Sequence, residues 1–341
     1  MTVTRPRSTT ATTAGTGVKR TTILVVALVV LGVVAVVSIG IGAHAVAPGE
    51  VLRALFAFDG SSDQTIVRDV RAPRAVLAIG VGAALGIAGA LIQTLSRNPL
   101  AEPGILGVTA GAGFAVTLGS ALGVAASQAG QLGLAVVGSV LAALLVYSVG
   151  RQSPLRLVLT GVALTAVLNG LTLGMRLMFP DVLDQYRFWS VGSLAGREQA
   201  PLLLPLVVIG VALAGALLLS RSLNAVALGE TVAHTLGTNV ARVRLSTLVL
   251  ITALVGAATA VAGPILFVGL IVPHLARRLA TGSVPWLLAY TMVMGPILLL
   301  VADVGSRVLL PTGEVPVAIV TAFLGAPVLI WAVRKYGVAA L

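Results

Sequence analysis

Residues 245–280 read LSTLVLITALVGAATAVAGPILFVGLIVPHLARRLA, an apolar run interrupted at Gly263 and Pro264. A Gly-Pro step removes a backbone donor and favours a turn or a kink. The run is therefore split there into two membrane spans, 245–262 and 264–280. A single kinked helix would leave the chain one span fewer.

Outward from this stretch, the requirement of about 20 mostly apolar residues per crossing selects 21–43, 73–95, 104–124, 129–150, 155–178, 200–220, 285–309 and 315–333. The reading is an all-α polytopic membrane protein of about ten transmembrane helices. Composition agrees: 57% of the 341 residues are hydrophobic and 10% charged, against about 25% charged in soluble domains. The 39 glycines suit a membrane bundle, where small residues let helix backbones approach. The absence of cysteine excludes disulfides, thiolate metal sites and cysteine nucleophiles.

Residues 1–20, rich in Thr, Arg and Ser, read as a disordered cytoplasmic tail, with the ten-helix transmembrane core over 21–335 and a short tail at 336–341. Ala43-His44-Ala45 resembles a signal-peptidase site, yet the apolar run before it exceeds the 7–15 residues of a signal sequence. A retained first helix is preferred.

The net charge of +11 invites a nucleic-acid reading, which its distribution dismisses. With the N-terminus inside, 14 of the 22 basic residues fall in cytoplasmic segments and 8 outside, while only Glu102 and Glu230 of the 11 acids lie inside. The Lys/Arg excess follows the positive-inside rule. Both termini are then expected in the cytoplasm.

An ionisable side chain at mid-bilayer is costly and marks a relay or ion path, and none is expected here. Asp303 falls in the outer third of the ninth span, and Arg176 near an outer end. Gln93 and Asn169 are neutral candidates for the pathway, or else interhelical hydrogen bonds. These absences oppose a proton-coupled transporter and a membrane enzyme. His44, His234 and His274 are scattered, and no P-loop pattern occurs. No cofactor or metal is expected on this chain, and ATP would be bound by a partner.

The inner loop RSLNAVALGETVAHTLGTNVARVR, 221–244, is expected to form two short helical stretches around Gly229 and Gly237. Ser222 or Asn224 would cap the first, and Gly237 would end the second. Leu228, Val232 and Leu236 recur at four-residue spacing on one face. Glu230, Thr231, His234 and Thr235 make its centre unlike a Lys/Arg-rich lipid-surface helix, which favours docking to a soluble partner.

Five blocks carry a family resemblance: RAPRAVLAIGVGAALGIAGALIQTLSRNPLAEPGILGVTAGAG (71–113), FWSVGSL (188–194), LNAVALGETVAHTLGTNVARVR (223–244), AGPILFVGLIVPHLARRL (262–279) and GEVPVAIVTAFLGAPVLIWAVRK (313–335). With these, the chain resembles the FecCD-type permeases of bacterial ABC importers for ferric siderophores, haem and cobalamin. The resemblance implies the type II importer permease architecture in the bacterial cytoplasmic membrane. It also implies a second permease (a paralogue by preference, a second copy of this chain as the alternative), two ATP-binding subunits and an extracytoplasmic binding protein. It places ATPase coupling at Leu228, Gly229, Glu230, His234 and Gly237. Binding-protein docking falls to Arg71, Arg74 and Arg307, with anchoring at lipid headgroups or pairing with Asp69 and Asp303 as the alternative, and a cytoplasmic gate to Gln152 and Ser153, where Pro154 departs from the pattern. A ferric siderophore is the expected cargo, with haem or cobalamin the alternative.

Overall fold

A computed structural model describes residues 11–42, 46–125, 127–150, 153–180, 189–197, 201–310 and 313–336. Helices α1 (Ala11–Gly40), α2 (Pro48–Phe56) and α3 (Ser62–Thr65) lead into a π-helical turn, Ile66–Arg71, and α4 (Ala72–Ser96). A 3-10 turn, Pro103–Leu106, precedes α5 (Val108–Ala121), followed by α6 (Gln128–Gly150), α7 (Pro154–Met178) and α8 (Leu203–Ala227). Short α9 (Glu230–Thr235) links α8 to α10 (Val240–Ala262), and α11 (Val268–Ala280), α12 (Val284–Val308) and α13 (Val317–Tyr336) follow.

The break at Gly263–Pro264 is present. The Gly263 N–H makes the last α10 bond, to the Thr259 carbonyl at 2.9 Å, and Pro264 has no N–H with which to continue. Non-helical backbone runs from 263 to 267 before α11 begins. Among the described residues, eight helices are long and apolar enough to cross a membrane. The other two expected spans are the shorter α5 and α11, of 14 and 13 residues. The first follows the 3-10 turn and the second the non-helical 263–267 stretch, so each of the ten expected spans contains a helix.

Lipid tails are as apolar as leucine, so close packing rather than water exclusion decides which helix sits centrally. That helix is α4, with 83% of its most apolar window buried, whereas α1 has 6%. Gly82, Gly86 and Gly89 bring the α4 backbone directly against Gly295, Thr291 and Gly269 of α12 and α11. The helix α1 lies against α12 and α4, and Tyr290 Oη donates to the Arg20 carbonyl at 3.0 Å.

At one end of the bundle, α9 joins its neighbours. There Arg97 Nη2 donates to the Val226 carbonyl at 3.2 Å, and Asn224 Oδ1 accepts from the Val284 N–H at 3.0 Å. This is called the α9 end, and the other the far end.

Two expectations change. The first helix starts at Ala11, so half of the segment read as a disordered tail is helical, because the apolar run propagates helix backwards into Thr-rich sequence. Residues 1–10 and 337–341 lie outside the described residues. The loop 221–244 is shorter than read: α8 runs on to Ala227 and α10 starts at Val240. One short helix stands where two stretches were expected. Neither Ser222 nor Asn224 caps α9; Asn224 instead accepts the N–H of Val284 at the start of α12.

Candidate coupling surface and permeation cleft

Gly229 starts α9 at φ 120, ψ 152, a backbone region essentially restricted to glycine. Gly237, at φ 75, ends it. Its N–H bonds to the His234 carbonyl and that of Thr238 to the Ala233 carbonyl, each at 2.9 Å, which is the Schellman arrangement. Ala233 is fully buried against the bundle. Asn239 Oδ1 then caps α10 by accepting the Arg242 N–H at 3.0 Å. Two glycines, the Schellman bonds at its end and the buried Ala233 thus fix a six-residue helix that could not persist alone. Its outer side carries Leu228, Val232 and Leu236, 65%, 41% and 64% exposed, with His234 exposed beside them. Glu230 pairs with Arg244, a half-exposed contact of small energetic weight.

The three arginines expected to meet a binding protein are buried instead: Arg71, Arg74 and Arg307 are 7%, 5% and 7% exposed. Arg74 donates from Nε to Asp303 Oδ1 at 2.9 Å and through its fork to Glu314 Oε1 and Oε2 at 3.1 and 2.7 Å. Arg307 Nη2 lies 3.1 Å from Asp303 Oδ2, and its Nη1 donates to the Ser38 and Ile41 carbonyls at 2.9 and 2.7 Å. Arg71 Nη1 reaches the Ile39 and Gly40 carbonyls at 3.1 and 2.9 Å. The end of α1 leaves carbonyls without intrahelical donors, and two guanidiniums supply them. The charges that break the positive-inside trend therefore tie α1, α4, α12 and the 313–316 segment together. Among the described residues at this end, the exposed cations are Arg53 and Arg68.

Of the gate pair, Gln152 lies outside the described residues. Ser153 caps α7, its Oγ accepting the Arg156 N–H at 3.2 Å. Gln93 is fully buried and does not line a path. Its amide donates to the Gly269 and Leu270 carbonyls at 3.4 and 3.3 Å, and its Oε1 accepts from Arg277 Nη2 at 3.0 Å. It fixes α4 to α11. Gln93→Leu is expected to cost about 1–3 kcal/mol by stranding buried polar groups, read as a fall in the unfolding midpoint of the purified chain.

Asn169 is exposed on α7 and shares a cleft of about 380 Å³ with Glu102, Thr109, Thr165, Trp189 and Pro264. The depth of this cleft overturns the expectation of no ionisable group inside the membrane. A Cβ on Gly161 would collide with the Ile105 carbonyl, so the 3-10 turn lies directly on α7. At about 1.5 Å of rise per residue, Gly161 stands roughly 10 Å above the α9-end start of its helix. The Glu102 side chain lies near the Phe267 backbone N–H, and Phe267 precedes the 13 residues of α11, about 20 Å above its end. Glu102 thus stands well within a hydrocarbon core of about 30 Å. Non-helical backbone at such depth is tolerated where protein buries it or where it lines a watery cavity, and here segments 97–107 and 263–267 meet. The signal was in the sequence: Pro103-Gly104 is the same kind of interruption as Gly263-Pro264, placed at the edge of a span rather than between two.

The sequence profile of the FecCD transport family matches residues 30–335. The ferric enterobactin transport system permease protein FepD of Escherichia coli strain K12 is 49% identical over 313 residues, 90% of this chain and 93% of that protein. The hemin transport system permease protein HmuU of Yersinia pestis is 36% identical, covering 78% and 82% of the two chains. Among solved structures, an ABC transporter described as being of metal-chelate type, in an inward-facing conformation, superposes with a TM-score of 0.83. It shares 31% identity and covers 92% of this chain and 99% of the other.

Proposed function

The chain belongs to the FecCD transport family, and from that premise we propose that it carries ferric siderophore complexes inward across the bacterial cytoplasmic membrane. It is a multi-pass permease of an ABC importer. The short helix α9, with exposed Val232 on it and exposed Leu228 and Leu236 flanking it, at one end of a chain whose sequence holds no P-loop, is the observation that carries the coupling reading. ATP hydrolysed by two partner subunits moves the permease through α9. A second permease, a paralogue in this reading, faces it across the path, and an extracytoplasmic binding protein delivers cargo at the far end. The α9 end, where Arg97, Arg277 and Arg278 gather, is cytoplasmic under the positive-inside rule, and both termini lie on that side.

Siderophore is preferred to haem because the ferric enterobactin permease shares 49% identity with this chain and the hemin permease 36%. Deletion of the gene is expected to abolish high-affinity uptake of radio-iron supplied as a ferric siderophore, restored by the wild-type chain. Uptake that continues unchanged would overturn the cargo assignment.

A further inference from the structure

We propose that the cavity where α4, α8 and α11 end and α12 begins is a phosphate-binding site. It would seat one phosphate group, from an anionic phospholipid or from soluble phosphate, whichever cargo the permease carries.

The cavity has a volume of about 150 Å³ and is lined by Arg97, Arg277 and Arg278, with Thr94 and Ser283, and by no acid. It is far larger than the roughly 10–15 Å³ a single water needs. It is smaller than the roughly 300 Å³ at which sites for whole small molecules begin, a size that suits a headgroup. Helix endings bring the three cations together. Arg97 ends α4 in a left-handed conformation, Arg277 and Arg278 lie in the last turn of α11, and Ser283 precedes α12 without capping it. The carbonyl ends of α4, α8 and α11 bring roughly half a negative charge each, and the start of α12 half a positive one. Against three guanidiniums, about two positive charges are left over. Glu230 does not offset them, because Arg244 holds it.

The arginines are fixed in place and still have donors to give. Arg97 Nη2 is on the Val226 carbonyl and Arg277 Nη2 on Gln93, one bond each for side chains that carry five N–H groups. The Arg277 Nε is buried without a hydrogen-bond partner, a costly state that an anion beside it would relieve. The planar fork of a guanidinium matches the oxygens of a phosphate.

The level of the cavity brings lipid phosphates within reach. Helices α4 and α12 have 25 residues each and are about 37 Å long. They exceed a hydrocarbon core of about 30 Å, so their ends stand in the headgroup layer. Helix α1, only 6% buried, runs beside α12, and its Arg20 donates to Thr281 next to the cavity wall. Basic pockets between helices at this level hold anionic headgroups.

The experiment titrates the purified full-length chain in neutral detergent and reads its thermal midpoint. The probes are phosphatidylglycerol, phosphatidylcholine, and inorganic phosphate against sodium chloride of equal ionic strength. A ligand of the folded state raises the midpoint as its concentration rises, and phosphatidylglycerol, inorganic phosphate or both are expected to do so. Phosphatidylcholine, which would put an ammonium among the arginines, is not. Arg278→Gln takes an exposed guanidinium from the wall and is expected to weaken the apparent affinity about tenfold or more, the loss of one charge-assisted bond. Arg242→Gln removes the same charge from an exposed position outside the cavity and should change it by less than about twofold, since screened charges act weakly at a distance. A response confined to phosphatidylglycerol makes the source a lipid, and one to inorganic phosphate makes it soluble; either supports the site when Arg278→Gln weakens it selectively. No response to either phosphate would overturn the site. So would an equal response to phosphatidylcholine, or equal weakening by both variants, which would reduce the effect to general solvation or surface charge.

Discussion

Asp303→Ala is expected to destabilise the chain by about 3–5 kcal/mol, the cost of breaking a buried ion pair by removing one partner. Asp303 is completely buried, with Arg74 on one carboxylate oxygen and Arg307 near the other. Its removal leaves two guanidiniums close together, with Glu314 as the remaining acid contact and that only for Arg74. Arg307 would still hold the Ser38 and Ile41 carbonyls, so repulsion between the cations would be transmitted to the end of α1. The expected readouts are a large fall in the thermal midpoint of the detergent-solubilised chain and a reduced amount in the membrane. Replacing Arg74, Asp303 and Glu314 together with apolar residues of similar size removes the repulsion between the cations and is expected to recover part of the loss, Arg307 keeping the Ser38 and Ile41 carbonyls but no acid in contact. A midpoint unchanged by Asp303→Ala would mean the network adds nothing to stability.

The second large effect is expected at α9. Val232→Asp with Leu236→Asp should leave the chain folded, since both side chains are already exposed, and should reduce ATP-driven uptake at least tenfold. Burying an apolar side chain contributes about 1.5–3 kcal/mol, so losing two from an interface weakens it by several kcal/mol, and two added carboxylates must be desolvated as well. Co-purification of the ATP-binding subunits should fall in parallel. Retained uptake with both substitutions present would remove α9 from the coupling route.

The ten crossings were legible because Gly-Pro punctuation and apolar run length act locally. The role of Gln93 as an interhelical link could be weighed for the same reason: a neutral amide inside a membrane needs partners. The Glu314 arm of the arginine network was not legible, because Glu314 is 240 residues from Arg74 and nothing in either neighbourhood announces the other. Docking was preferred for Arg71, Arg74 and Arg307 over pairing with Asp69 and Asp303, and it is the pairing with Asp303 that Arg74 and Arg307 make. Asn224 resembled a helix cap and does bond a backbone N–H at a helix start, but the helix is α12, 60 residues on. Glu102 was counted as a loop acid because span boundaries were placed by hydropathy, which is blind to a chain that dips into the membrane before turning helical. Gly237 was expected to end a helix and does so at a φ that glycine permits, whereas Gly229, expected within a helical stretch, stands before α9 in a conformation that other residues resist.

The two short helices bear on how this protein is made. A helix of 13 residues ending in Arg277 and Arg278, or one of 14 rich in Gly and Ala, offers too little apolar length to leave the insertion machinery for lipid alone. Each must enter together with its predecessor, α10 with α11 and α4 with α5, as paired units. The exposed backbone at the start of the second member is then sheltered by its neighbours from the moment of insertion. Biogenesis thus constrains the order of assembly. The segments that open the cleft in the finished transporter are those that cannot be placed until the helices around them have arrived.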